Sequence, residues 1–599
     1  MRYLSSILAV VLALGLGACT SNEPGNEPGN WNGGAPGGGD SGSPDMEAFT
    51  IEFDTTPLSE TETVPTDESD THYDDYIEHS SFTHDIAIAY NGNSATVSGL
   101  VDGVSAAVDG AHVTVTSTVK GVNLVLSGTT DNGSLKVYGD YKYQLTLNGV
   151  HITNPAGAAI NNQCKKRTFV VLTAGSDNSL TDGDTYADVP EDEDLKGCFF
   201  SEAQLLFSGS GTLNVTGSYK HGICSDDYVM VRPGVTLNVD VSASSGIKAN
   251  DGVFIKGGVL NVGVSGTAAK AINSEADVVV DGGRTTVITT GDGTYDSDEN
   301  DTKAAAGIKA DANLTINGGT VLARSTGKGG KGLNADGEIT VNGGTVRVIT
   351  TGQTYTYNAD LDSKAKGIKA DGNLTINGGD VMVRTSGGEG SEGIESKAVM
   401  TINDGTVQVV SYDDALNAKG AIAINGGQVY AYATNNDAID SNGKLTIAGG
   451  TVIAAGAGAP EGGFDCDNNT FAITGGTVIG LGGDTSVPTA SACTQPCIIS
   501  GNSVNAGTTL AVTSGGKCLL VFKVPRSFST MVISAPGMAQ GSSVTLSSGV
   551  SASGGTTFHG LTTGCTASGG NTLATVSLTG MVATSNYGGG PGGWGGMPF

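Results

Sequence analysis

Gly307-Ile308-Lys309-Ala310-Asp311, followed by Leu314-Thr315-Ile316-Asn317-Gly318-Gly319, returns as Gly367-Ile368-Lys369-Ala370-Asp371 and Leu374-Thr375-Ile376-Asn377-Gly378-Gly379. An earlier copy reads Gly246-Ile247-Lys248-Ala249-Asn250, then Val253-Phe254-Ile255-Lys256-Gly257-Gly258. Ile223, Ile272, Leu333, Ile394, Leu416, Ile439 and Phe464 hold the same apolar anchor position in looser copies. Most anchors lie about 22 to 26 residues apart, a solenoid period; propeller blades need about 40 residues or more. Within each copy apolar residues alternate and then break at Gly-Gly or Asp-Gly, the pattern of strands joined by turns. A lone coil of this size cannot bury its inner side chains. Stacked coils place Ile over Ile, and each buried side chain contributes about 1.5–3 kcal/mol. The fold expected is all-β, a right-handed parallel β-helix with small flanking β segments. The Gly of Asn-Gly-Gly supplies positive φ at the corner, and Asn317, Asn342, Asn377 and Asn425 are placed to stack as a hydrogen-bonded ladder.

Outward from these coils, the helix is expected over 158–490, with an N-terminal β region and first coils over 51–157. A C-terminal β unit at 491–585 holds Cys493, Cys497, Cys518 and Cys565, and a Gly-rich tail fills 586–599. At the start, Arg2 and the apolar run Ser6 to Leu16 lead into Leu16-Gly17-Ala18-Cys19. Small residues before a cysteine resemble a lipobox, so 1–19 is expected to be a lipoprotein signal with Cys19 diacylated. The Gly, Pro and Asn of 20–50 offer almost nothing to bury and form a tether. The protein is therefore expected outside the cytoplasm, held by a lipid anchor at the outer membrane or cell surface.

With 94 Gly among 599 residues and a net charge of −30, the chain is poorly suited to nucleic acid. No Lys or Arg occurs between Arg2 and Lys120. An acidic polysaccharide would also be repelled unless a cation or a local basic strip intervenes. Nine cysteines, less Cys19, leave an even set of eight, which suggests disulfides outside the cytoplasm.

Two anchor intervals are long. Asp292 to Lys303 and Gln353 to Lys364 are inserted at the same corner, two coils apart, with roots expected about 10 Å from each other. They bring Tyr295, Tyr355 and Tyr357, whose rings can stack on sugars, to one face. The residue after each anchor points outward. Down the stack it reads Cys224, Lys248, Asn273, Lys309, Asn334, Lys369, Glu395, Asn417, Asp440 and Asp465. The lysines can meet sugar carboxylates, or pair with Glu275, Asp311, Asp336 and Asp371. At the C-terminal end Asp413, Asp414, Asn417, Asp437, Asp440 and Asp465 would crowd oxygens around one corner. Carboxylates stacked about 4.8 Å apart repel unless a cation sits among them, and hard oxygens suit calcium.

Read in order, Val122-Asn123-Leu124-Val125-Leu126-Ser127-Gly128, Gln144-Leu145-Thr146-Leu147-Asn148-Gly149, Ser208-Gly209-Ser210-Gly211-Thr212-Leu213, the Gly-Ile-Lys-Ala-Asp coils and Val532-Ile533-Ser534-Ala535-Pro536-Gly537-Met538 resemble a bacterial carbohydrate-binding β-helix family, pectate-lyase-like in shape. The resemblance implies calcium-dependent binding of acidic and cellulosic polysaccharides. Asp413-Asp414-x-x-Asn417 is similar to the Asp-Asp-x-x-Asp calcium ligands of family 9 pectate lyases, with Asn last. Three classes stay open. A non-catalytic binder of a polygalacturonate-like polysaccharide is favoured. A calcium-dependent lyase would use Lys369 as its base, although Lys248 and Lys309 share that column. A structural or adhesive surface protein would show no sugar affinity.

Overall fold

The structure is a computed structural model that describes residues 42–187, 189–191 and 193–588. The repeated motif folds into three strands per coil. The first is exemplified by Ala306–Ala310, the second by Leu314–Ile316 and the third by Thr320–Ser325. Each pairs in parallel with its counterpart one coil on, so Ile308 lies on Leu333, Leu314 on Ile339 and Val321 on Val346. Three flat faces therefore stack along one axis, and the chain is a parallel β-helix.

The first face is a sheet of 15 strands. Its inner column runs from Val113 through Leu135, Ile160, Phe199, Ile223, Ile247 and Ile272. It continues through Ile308, Leu333, Ile368, Ile394, Leu416 and Ile439 to Phe464. These residues belong to one continuous buried cluster, so every anchor read from the repeat points inward.

The glycines are needed by the stacking. At Gly319 φ is +71°, and a Cβ there would come within 2.6 Å of the Gly282 carbonyl carbon. A Cβ on Gly307 would meet the Gly332 carbonyl oxygen at 2.6 Å, so the residue before the anchor is small because the next coil lies against it. Outside this corner the asparagine ladder forms. Asn425 Nδ2 donates to Asn403 at 2.8 Å, Asn403 to Asn377, Asn377 to Asn342 and Asn342 to Asn317, each at 2.7 Å.

Both ends are closed. His84–Asn91 pairs antiparallel with Ser94–Ser98 at the start, and Thr477–Gly482 pairs antiparallel with Thr530–Ser534 at the finish. A six-stranded antiparallel sheet follows. An open edge would invite other strands, and these elements cover it.

Residues 42–82 run along the outside against the direction of the stack. Arg384 Nη2 donates to Met46 O at 2.6 Å. Arg284 meets Asp54 at 3.1 Å, and Glu60 accepts from Gly258 N and Gly283 N. Arg232 holds Glu62 and Glu78, and Arg167 holds the buried Asp75 at 2.7 Å. The acidic N-terminal segment, in which the sequence shows no site, is thus a strap whose carboxylates meet arginines of the solenoid.

The expected disulfides are not formed: all eight cysteines of the described residues are thiols. Six are buried, four of them within the coils. Cys518, in the C-terminal sheet, and Cys565, beside it, bring their sulfurs to 3.8 Å.

Candidate functional site

The site builds at the corner where the third face turns into the first. Both insertions leave there, and the turn before Leu416 brings Asp413 and Asp414 to the same corner. The inserted segments each form a short hairpin, Thr294–Asp296 with Asp301–Lys303 and Tyr355–Thr356 with Asp362–Ser363. They lock together. The rings of Tyr295 and Tyr357 stack 3.9 Å apart and 4° from parallel, and Thr302 Oγ1 donates to Asp362 O at 2.8 Å. Tyr355 lies over Gly293 so closely that a Cβ there would fall 2.9 Å from its ring. Tyr295 and Tyr355 therefore each spend ring surface on the neighbouring loop. Tyr357 is the exposed member, at 50%.

The outward column is assembled as the register requires. Lys248 lies on Asn273, Lys309 on Asn334, Lys369 on Glu395, and Asn417 on Asp440, which lies on Asp465. The lysines are already partnered. Lys248 Nζ is 2.7 Å from Glu275, Lys309 Nζ 2.9 Å from Asp311 and 2.5 Å from Asp336, and Lys369 Nζ 2.5 Å from Asp371.

A second column, two residues before each anchor, was read from the sequence only at its acidic end, Asp414 and Asp437. Lys270, Ala306, Lys331 and Lys366 stack in it, and Glu392, Asp414 and Asp437 continue it, since Gly367 N donates to Glu392 O, Gly393 N to Asp414 O and Ala415 N to Asp437 O. Lys331 is the base-like amine of this corner. Burial, then the charges of Lys369 and Lys366, push it down to about 7, and its Nζ is 2.9 Å from Ser363 Oγ and 3.1 Å from Gly329 O, at the root of the second insertion. Lys366 meets Glu392 directly and Glu395 at 3.3 Å.

Beyond Glu392 the column has no cation. Asn417 Nδ2 joins Asp414, at 2.9 Å, to Asp440, at 2.8 Å. Asp437 N donates to Asp414 Oδ1 at 3.1 Å, and Asp437 Oδ1 accepts from Gly462 N at 2.6 Å. Asp413 accepts from Gly390 N and from Asn436 Nδ2. Asp465 turns away, toward Ser486 Oγ at 2.8 Å. Of the six residues expected to converge, four are linked by hydrogen bonds, Asp413 is held beside them by Gly390 N and Asn436, and Asp465 stands at the edge.

Burial dominates the electrostatics here. It pushes Asp414 up to about 8, helped by Asp440 and Asp413. It pushes Asp437 up to about 9, with Asp414, Glu461 and Asp465 adding to it against the Gly462 hydrogen bond. Asp440 rises to about 7 through burial, then Asp465 and Asp467. The donors are all hard oxygens on adjacent coils, which fits calcium. Among the described residues, however, no three His, Cys, Asp or Glu side chains converge as a formed metal cage.

This fold and corner define a class: a parallel β-helix with a charged, loop-bearing edge. The chain belongs to the carbohydrate-binding domain-containing protein family, whose profile matches residues 109–271, 263–355 and 349–436, more than half of its length. A carbohydrate-binding domain-containing protein of Acetivibrio thermocellus is 30% identical over 111 residues, 18% of this chain and 39% of that protein. The chain spans about two fifths of that relative. A solved structure described as a polysaccharide lyase-like protein from C. thermocellum, a gadolinium derivative, is 22% identical, with a TM-score of 0.28 over 49% of this chain and 96% of the other. So low a score carries no residue role across, and the fold stands on its own strand pairings.

Cys19 and most of the expected tether at 20–50 lie outside the described residues, as does 589–599 of the tail. Among the described residues no helix is long and apolar enough to cross a membrane.

Proposed function

We propose that the protein is a non-catalytic lipoprotein, anchored through Cys19, that binds an acidic, polygalacturonate-like polysaccharide along the loop-bearing corner with calcium as the bridge. One observation carries this reading: on two adjacent coils Asp414 and Asp437 are buried with Asp440 half-buried beside them, joined through Asn417 and the Asp437 backbone, and burial raises all three carboxyls. Crowded carboxylates are unfavourable, and a divalent cation relieves them and offers a coordination position that a sugar carboxylate can fill. Asp413, Asp414, Asn417, Asp437 and Asp440 would hold the ion, with Asp465 recruited from the next coil. Lys248, Lys309 and Lys369 then bind sugar only by exchanging their present carboxylate partners, and Tyr357 offers the exposed ring.

The lyase alternative finds little support in the geometry. Lys369 is engaged by Asp371, and the amine with lowered pKa, Lys331, is bonded to Ser363 and Gly329 at the root of the second insertion. The test is binding of polygalacturonate to the purified chain with and without chelator, read beside ultraviolet absorbance. A calcium-dependent component of binding that chelator removes and that Asp414→Asn/Asp437→Asn lacks, with no absorbance rise, is expected. An unsaturated product that vanishes in Lys369→Ala makes the protein a lyase instead. Cys19→Ala should release the protein from membranes, and retention in that variant places the anchor elsewhere.

A further inference from the structure

Cations also gather at the opposite end of the solenoid, at the corner between the first and second faces. Tyr143 pairs with Thr168 and Thr168 with Leu205. The residues just before them, Lys142, Arg167 and Gln204, therefore stack at about 4.8 Å per coil. Lys120 turns the same corner one coil earlier, and Lys165 and Lys166 flank Arg167. Lys120, Tyr141, Lys142, Lys165, Lys166 and Arg167 line a cleft of about 730 Å³.

The charge balance of this cleft is the reverse of the chain's. Asp140 is the one carboxylate in its lining. Arg167 is committed to Asp75. Lys165 faces Glu202 only at 3.7 Å, with its side chain 79% exposed. Lys120 and Lys142 instead lie over aromatic rings, Tyr141 at 5.2 Å and Phe169 at 5.9 Å. A ring steadies an ammonium without neutralising it, so these groups keep their charge for a ligand. Tyr141 is 40% exposed beside them, and a half-open tyrosine ring suits the apolar face of a pyranose. Cations repeating once per coil match a chain that presents an anion on each successive sugar. In a protein of net charge −30, such a gathering of lysines stands out as a local reversal of sign.

We propose that this cleft is a second glycan site, which binds anionic sugar residues directly, without a metal ion. It rests on the family's carbohydrate binding and not on the calcium reading of the acidic corner.

The experiment uses the full chain in chelator, titrated with polygalacturonate, its methyl ester and heparin. Wild type should bind the two polyanions with a steep salt dependence and the ester weakly. Lys142→Glu/Lys166→Glu should weaken polyanion binding at least about tenfold, as expected when two attractive pairs become repulsive. Asp414→Asn/Asp437→Asn should leave it unchanged, which separates this site from the calcium corner. Preference for heparin over polygalacturonate assigns the anion as sulfate, and the reverse as carboxylate. An unchanged double variant overturns the proposal, as does a chelated wild type that binds neither polyanion. Preference for anionic lipid vesicles over both glycans overturns it too. Should the double variant unfold, Lys120→Gln/Lys165→Gln, at exposed positions, replaces it with the same expected direction.

Discussion

The basic cleft of the first coils and the acidic corner of the last ones are the same device with opposite sign. In both, a corner residue recurs once per coil, so like charges repeat about every 4.8 Å. They differ in how the repulsion is relieved. The lysines at 120, 142, 165 and 166 reach solvent or rest on rings. The carboxylates of Asp414 and Asp437 are short and buried in the turns, and that burial raises their pKa values to about 8 and about 9. Between them the stack alternates, with Lys309 set among Asp311 and Asp336. A parallel in-register solenoid copies whatever chemistry its corner carries, and side-chain length and burial decide whether water can solvate the result.

The comparison depends first on an unbroken column, and that is where the largest effect is expected. Ile308 is fully buried between Ile272 and Leu333. Ile308→Asp places an unpaired charge there and should cost more than about 4 kcal/mol. Denaturant unfolding reads it, and a loss below 1 kcal/mol would mean that the coils do not act as one core.

The next effect is pH dependence. The folded values near 7 to 9 for Asp440, Asp414 and Asp437 stand above the ordinary 3.8, so between these limits the folded chain holds protons that the unfolded chain has released. Their contribution without calcium is full below pH 4 and is lost as pH rises through 7 to 9. Thermal unfolding in chelator should therefore fall over that range, and calcium should restore it most strongly at the alkaline end. Asp414→Asn/Asp437→Asn should flatten the pH profile and remove the calcium shift. A wild-type melting curve indifferent to both pH and calcium would dissolve the contrast between the two ends.

Smaller effects sharpen it. Tyr357→Ala removes the stacked partner of Tyr295 and should cost about 0.5–1.5 kcal/mol, read best as faster hydrogen exchange in the two inserted hairpins. Slow, wild-type exchange would show that the loops hold without the stack. Asn377→Ala breaks two rungs of the amide ladder, at 2.7 Å each, and should cost about 1 kcal/mol because the freed partners face water. No change on denaturant unfolding would make the ladder a by-product of register.

The anchors from Ile223 to Phe464, the asparagine ladder and the outward column were legible in the sequence because each is a local period repeated many times. The acidic residues were legible for the same reason, since Asp413-Asp414 and Asn436-Asp437 sit at matching offsets. The column of Lys331, Lys366 and Glu392 was not, because the residue at this offset changes from coil to coil, with Ala306 among the lysines, so no repeated chemistry marks it. The pairing of Lys369 with Asp371 was one of two readings the sequence left open, whereas the stacking of Tyr295 on Tyr357 was out of reach. Which partner a long side chain takes depends on rotamers and on loops that fold back across coils.

By itself, then, the sequence determined the solenoid, its inner column and the sign of charge along its edge, because stacking in register turns a one-dimensional period directly into a spatial one. Only the tertiary structure decided which charges are spent and which are available. The strap at 42–82 meets arginines up to hundreds of residues distant, as Met46 does Arg384. The cleft around Tyr141 and Lys142 gathers its lining from four coils and the strap. Neither contact has a period to announce it, since both arise where the chain leaves the repeat and packs against it.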